Sequence, residues 1–209
     1  MINVCEKCGQ YRNDKIVDKV NNSITCPECG HNVPYKFLPL FMVSGASGTG
    51  KSTLCNYLVN ESNNFIVLDM DILWGKHYDT PENNYKDFYE IWLRMSKNIS
   101  QSGIPVILFG AGCIPNNIEY CIENRYFSYI HFSGLVCSKD TLETRLNNRP
   151  KWRKSSNKEF IEGQVKYNDY IKTNKHIFTI ETENKTIEET SKELKNWVKS
   201  IVGKGANST

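Results

Sequence analysis

Five short apolar runs punctuate the chain: Leu38–Val43, Phe65–Leu68, Pro105–Phe109, Tyr129–Phe132 and Ile177–Ile180. Each is too short for a helix and is bounded by polar or turn residues, so each is a predicted strand. Between them the apolar positions recur at helical spacing. A helix pattern covers Gly50–Asn60. Phe88, Ile91, Trp92, Met95 and Ile99 define another within Tyr85–Ser102, and Gly103 ends it. A short helix is predicted over Asn116–Glu123, behind Pro115. Lys139–Asn148 follows, capped by Ser138 and stopped by Pro150. A capping box at Ser156–Glu159 opens a helix with Phe160, Tyr167 and Ile171 on one face; a second, Thr186–Glu189, opens the last helix, with Leu194, Trp197, Val198 and Ile201 inward. Strands alternating with helices predict an α/β fold, a parallel sheet covered on both faces.

Residues 1–36 break this texture. They are polar and lack long apolar runs, so they need a staple to fold. Cys5-x-x-Cys8 and Cys26-x-x-Cys29 supply one: two tight pairs separated by 17 residues, the spacing of a structural four-thiolate zinc site. Each pair is followed by a glycine, Gly9 and Gly30, expected to let backbone N–H groups turn toward the thiolates. With its coordination shell closed by Cys5, Cys8, Cys26 and Cys29, such a metal is structural and leaves no open catalytic position. The module resembles a zinc ribbon, and His31 beside it is read as a bystander. The other four of the eight cysteines, Cys55, Cys113, Cys121 and Cys137, lie in or beside apolar runs and are expected in the core. The domain reading is therefore a zinc ribbon over 1–36, a second domain over 37–203 and a flexible tail over 204–209.

Composition adds limits. A 39% hydrophobic and 23% charged chain is ordinary for a globular protein, and a net charge of +3 does not imply nucleic acid or an anionic membrane. No apolar run approaches a membrane span, and the first ten residues do not read as a secretory signal. A cytoplasmic location is the expectation, with no membrane partner. Nucleic acid is allowed but not implied, and the oligomeric state is not encoded legibly.

The strongest motif lies after the first strand of the second module. Gly45-Ala46-Ser47-Gly48-Thr49-Gly50-Lys51-Ser52 fits the phosphate-binding loop at every position, between a predicted strand and a predicted helix. Glycines let the backbone N–H groups curl around phosphate oxygens, and the helix N-terminus adds positive potential. Residues 45–50 with Thr53 would cradle ATP, Lys51 would reach its outer phosphates, and Ser52 would ligate Mg²⁺. The third strand carries no acid, unlike motor ATPases, and no N-K-x-D guanine motif is present. The base of the nucleotide stays open. The second strand instead ends in Asp69-Met70-Asp71, with both carboxylates on one side.

Between strands four and five, Arg145, Arg149, Lys151, Arg153, Lys154 and Lys158 occur with no acid between Arg145 and Lys158. A solvated basic face and a nucleic-acid patch are both open readings. The placement favours a phosphate clamp, because guanidinium forks match charge spread over phosphoryl oxygens. Trp152 either packs this segment or stacks on a base.

Together, the loop, the D-x-D and the Arg145–Arg153 stretch resemble the small-molecule kinase branch of the nucleoside-monophosphate-kinase superfamily, and uncharacterised bacterial kinase-like proteins with an R-P-x-W-R lid. The resemblance covers roughly Leu38 to Val202. It implies a five-stranded parallel sheet of order 2-3-1-4-5 and a lid that closes over ATP, with Arg145 on the nucleotide and Arg149 and Arg153 in catalysis. It places Asp69 on the Mg²⁺ side and Asp71 toward the acceptor as a base. Between the D-x-D and Gly103 the cations are Lys76, Lys86, Arg94 and Lys97, in or near a helix read as solvent-facing. That balance favours a hydroxyl acceptor over a phosphate one. Expected, then, is transfer of the γ-phosphate of ATP to a hydroxyl of a nucleoside, sugar or antibiotic-like molecule. A nucleoside-monophosphate kinase and a polynucleotide 5′-kinase are the alternatives. Trp74 to Trp92, with Tyr78, Tyr85 and Tyr89, either lines the acceptor pocket or forms helix core.

Overall fold

The computed structural model describes residues 2–61 and 64–205. Three short antiparallel strands form the N-terminal module: β1 (Ile16–Asp18), β2 (Ser23–Thr25) and β3 (Asn32–Pro34). The rest is built on β4 (Leu40–Gly45), β5 (Ile66–Asp69), β6 (Val106–Phe109), β7 (Ile130–Val136) and β8 (Ile177–Glu181). These five are parallel and lie in the order β5-β6-β4-β7-β8, so the predicted 2-3-1-4-5 order holds.

The central strands explain why their sequences are continuously apolar. Leu40 and Met42 of β4 join Val106 and Leu108 of β6 in one core; Phe41 and Val43 join Ile107 and Phe109 in the other. A strand buried on both faces has no position left for a polar residue. The first core is covered by α2 (Lys86–Ser100) and α3 (Pro115–Ile118). The second is covered by α1 (Lys51–Val59) and α6 (Ile187–Gly205). Two further helices, α4 (Lys139–Asn147) and α5 (Lys158–Thr173), pack beyond β4 and β7. The four scattered cysteines are buried, as expected. Among the described residues, no helix is long and apolar enough to cross a membrane.

Several elements differ from expectation for identifiable reasons. Strand β7 runs past Ser133-Gly134 to Val136. Gly134 is there because a Cβ would collide with Ile171 of α5, which packs directly on the strand. The helix predicted over 116–123 breaks into α3 and a 3₁₀ turn, Ile122–Tyr126. The Glu90 carboxylate accepts from the N–H of Ile122 (2.6 Å) and of Glu123 (3.1 Å), which starts the second turn afresh. Asn157, not Ser156, caps α5, taking the N–H of Glu159 and Phe160. Phe160 faces solvent, and Ile161 and Val165 take the inward positions instead. The box at Thr186 is reciprocal as predicted: its N–H donates to Glu189 Oε2 (2.8 Å) and its Oγ1 accepts from Glu189 N–H (3.2 Å). Helix α6 continues to Gly205, and residues 206–209 of the expected tail lie outside the described residues.

The N-terminal module is seated on the larger body. Its core is Ile24 and Tyr35, completed by Tyr126 from the 3₁₀ turn after α3. The Tyr126 hydroxyl donates to Asn13 O (2.8 Å) and accepts from Lys15 N–H (2.9 Å). Beneath it, Glu123 accepts from Arg94 Nε (2.9 Å), Lys97 Nζ and Asn3 Nδ2 (3.4 Å). Lys97 is fully buried, its ammonium 3.7 Å from the Tyr126 ring centre. The expectation that Arg94 and Lys97 face solvent is therefore corrected: the ribbon covers that stretch of helix.

Candidate active site

The phosphate loop joins β4 to α1, where backbone geometry sets its shape. Gly48 and Gly50 have φ of 100° and 101°, left-handed values that favour glycine. At Gly45 a Cβ would sit 2.5 Å from Thr49 Oγ1 and 2.8 Å from Leu135 O, so close chain crossing excludes a side chain. Helix α1 begins at Lys51, leaving its first N–H groups, those of Lys51, Ser52 and Thr53, directed back at the loop. Ser52 and Thr53 are exposed in this first turn. Lys51 folds onto the loop and donates to the carbonyls of Gly45 (2.6 Å) and Ala46 (3.1 Å). Burial pulls its ammonium down to about 8; Asp71 pulls it back up and Arg149 opposes that. A loop holding a desolvated cation among carbonyls is prepared for an anion.

The two acids divide their roles. Asp69 closes β5 and caps the next turn, its Oδ1 accepting from Asp71 N–H at 2.9 Å. The cap of this turn is thus Asp69, which leaves Asp71 uncommitted to it. The Asp71 carboxylate makes no hydrogen bond among the described residues. Its surroundings lift it above the usual carboxylate range, Asp69 pushes the same way, and Lys51 opposes both.

The arginines separate. Arg145 donates to Gly48 O (3.3 Å), Thr182 Oγ1 (3.1 Å) and Thr182 O (3.0 Å), tying the loop to the end of β8. Arg149 donates to Ser47 Oγ at 2.7 Å. Arg153 does not reach the loop; its guanidinium lies over the ring of Trp152, which is 75% exposed. Trp152 therefore contributes to no core.

Two cavities lie near the loop, one lined by loop residues and one that reaches the loop through Gln164. One, of about 360 Å³, is bounded by Gly48, Thr53, Arg145, Arg149, Thr182 and Lys185. The other, of about 680 Å³, is bounded by Asp71, the aromatic side chains of Trp74, Tyr85, Phe88, Tyr89 and Tyr167, and the backbone of Gly110–Gly112. Asn84, Asn117 and Gln164 add carboxamides. No Lys, Arg or His lines it among the described residues, and Asp71 is its single carboxylate. Of the two readings left open for this stretch, both hold in part: Trp74, Tyr85 and Tyr89 line the cavity, Tyr89 is also buried in the core, and Tyr78 packs on Phe88. Gln164 and Thr182 were not singled out by sequence reasoning, and Tyr167 only as an inward position of its helix. Nothing in their spacing marks them for a site: Gln164 and Thr182 look like ordinary polar residues and Tyr167 like a core position.

At the N-terminus the sulfurs of Cys5, Cys8, Cys26 and Cys29 all lie within 4.8 Å of one another, with Cys5–Cys29 at 3.6 Å and Cys8–Cys26 at 3.9 Å. Tetrahedral Zn–S bonds of ~2.3 Å place sulfurs about 3.8 Å apart, so the cluster fits zinc. The knuckles are alike: Gly9 N–H donates to Cys5 O (2.8 Å) and Gly30 N–H to Cys26 O (3.0 Å). The glycine N–H groups close on carbonyls, while the backbone N–H groups of Lys7 and Cys8 turn toward the Cys5 sulfur and that of Gln10 toward Cys8, as expected of backbone N–H groups in such a turn. The Cys8 backbone N–H pulls the Cys5 thiol down to about 6, toward the ligand form. His31 bonds Glu6 at 2.9 Å, outside the cluster.

No protein-family model matches the sequence, and no curated protein matches it significantly. Solved structures do. A gluconokinase from Sinorhizobium meliloti 1021 is similar with a TM-score of 0.57 and 15% identity, over 83% of this chain and 99% of that one. A sugar kinase from Janibacter sp. is similar with a TM-score of 0.55 and 12% identity, over 77% of this chain and 94% of that one. At such identities likeness speaks for architecture: the chain has the five-stranded parallel-sheet fold of the P-loop kinases, with a four-cysteine ribbon at its N-terminus.

Proposed function

We propose that this protein transfers the terminal phosphate of a nucleoside triphosphate, ATP in the first instance, to a hydroxyl group of a small neutral molecule. One observation carries the reading. Among the described residues, the larger cavity offers one carboxylate, Asp71, which makes no hydrogen bond there, and no cation in its lining. A phosphate-bearing acceptor needs cations to hold it. A hydroxyl needs a carboxylate to take its proton as its oxygen bonds to phosphorus. The monophosphate-kinase alternative requires the former; a polynucleotide 5′-kinase also uses a hydroxyl acceptor, but its strand brings phosphates that no cation lining this cavity would hold among the described residues.

The smaller cavity, with Arg145 and the Thr182–Lys185 loop, would take the nucleoside end of the donor. Lys51 and Arg149 would meet the charge spreading over the transferring oxygens. Ser52 and Asp69 would hold a Mg²⁺ ion, which neutralises charge on the outer phosphates when bound. As the acceptor oxygen bonds to the γ-phosphorus, the bond to the β-phosphate oxygen breaks and Asp71 receives the hydroxyl proton. Neighbours that are gluconate and sugar kinases support a hydroxyl acceptor without naming it. The aromatic lining supports an acceptor with a ring.

The test is ADP release with Mg²⁺–ATP across nucleosides, sugars, aromatic antibiotics, nucleoside monophosphates and 5′-hydroxyl oligonucleotides. Asp71→Asn should keep nucleotide affinity and lower transfer about 10²–10⁴-fold, the scale of a lost general base. A nucleoside monophosphate as best acceptor, or near-normal transfer by Asp71→Asn, overturns the proposal.

A further inference from the structure

Ser47 is gripped from two directions. Arg149 takes its hydroxyl, and its backbone N–H donates to Gln164 Oε1 at 2.6 Å. The second contact is unusual in its location. Gln164 belongs to α5, 117 residues further along the chain, and it also lines the larger cavity with Asp71. One neutral carboxamide therefore touches the loop that holds phosphate and the space that holds the acceptor.

The helix beneath it is fixed. Three residues on, the Tyr167 hydroxyl bonds Ser44 Oγ (2.8 Å) and Ala111 O. Asn168 then pairs both ways with the Cys137 backbone, at 3.3 and 3.0 Å. The backbone of α5 is held at that level, so a change at Gln164 is confined to side-chain torsions. A phosphate oxygen carries charge and is a stronger acceptor for the Ser47 N–H than an amide oxygen. A glutamate in this position would repel the arriving phosphate; a glutamine yields to it.

We infer that Gln164 is an exchange contact, a claim that rests on the phosphoryl-transfer reading above. Without nucleotide its carboxamide occupies the Ser47 N–H. The terminal phosphate displaces it, and the freed carboxamide turns into the cavity and hydrogen-bonds the acceptor. Donor binding thereby completes the acceptor site. Gln164 is on this account a specificity residue that reads a polar group of the acceptor.

The experiment compares wild type with Gln164→Leu and Gln164→Ala, each first shown to melt like wild type. Calorimetry with a non-hydrolysable ATP analogue and Mg²⁺ gives nucleotide affinity, and steady-state kinetics with the best acceptor from the screen gives KM and kcat. Both variants should bind nucleotide about threefold to tenfold more tightly, since no contact has to be broken first. Their acceptor KM should rise by about tenfold or more while nucleotide KM does not rise. Unchanged or weaker nucleotide binding in both variants overturns the inference, as does an unchanged acceptor KM. Absence of any acceptor would sink the phosphoryl-transfer reading and the acceptor half of the exchange, whereas the calorimetric arm reads displacement of Gln164 without turnover.

Discussion

Replacing Glu123 by glutamine tests how firmly the ribbon is built into the protein. Glu123 and Lys97 are fully buried, while Arg94 is 30% exposed. The amide side chain would keep the volume and one oxygen acceptor but remove the charge that two cations share. Arg94 can turn to water; Lys97 cannot. Stranding one member of a buried pair costs about 3–5 kcal/mol, and Arg94's escape puts the expected cost near the lower end, about 3 kcal/mol. For a chain of this size each kcal/mol moves the melting temperature by about 2–4 °C, so Glu123→Gln should lower it by about 6–12 °C. The assay is thermal unfolding by circular dichroism at neutral pH. Adding Lys97→Met removes the stranded ammonium and should recover part of the loss. A drop smaller than about 2 °C, or no recovery in the double variant, refutes the reasoning.

Other outcomes follow from the same geometry. Zinc should bind at one equivalent per chain, and chelation should lower the melting temperature of the whole protein, because Tyr126 and Glu123 lose their cover; elemental analysis and melting check both. Burial pulls Lys51 down to about 8, below the ordinary 10.5, so the unfolded chain should bind its proton more tightly. Its contribution to stability should rise as pH climbs from about 8 toward 10.5, whereas affinity for the anionic nucleotide should fall above pH 8; calorimetry and melting across pH 7–10 read the two opposite slopes. Gly112→Ala would place a methyl on the Tyr89 hydroxyl, so acceptor KM should rise with nucleotide affinity unchanged in the same calorimetric titration.

What was legible in the sequence follows its physics. Strands buried on both faces are short continuous apolar runs between turn residues, so the strands were accessible from runs such as Pro105–Phe109, whereas their order in the sheet came from the kinase resemblance and not from the runs. The loop was legible because its glycines and lysine are demanded by backbone shape and charge. Reasoning failed where a distant partner decides. Ser133-Gly134 looks like the end of a strand until Ile171 is seen packing on it. Lys97 looks like a surface cation until Glu123 and the ribbon cover it. Gln164 is one polar residue among many on its helix, and only its 2.6 Å contact with Ser47 marks it.

The seat of the ribbon also imposes an order of events at synthesis. Asn3 and Glu123 are 120 positions apart, yet they share a hydrogen bond. At about 5–20 residues per second, roughly 6–24 s pass between their appearance. Cys5, Cys8, Cys26 and Cys29 are all made before the surface that will cover their module exists. In that interval metal is the one staple within their reach, and unliganded thiols are open to oxidation. Scarce zinc would therefore lower the yield of folded protein during translation.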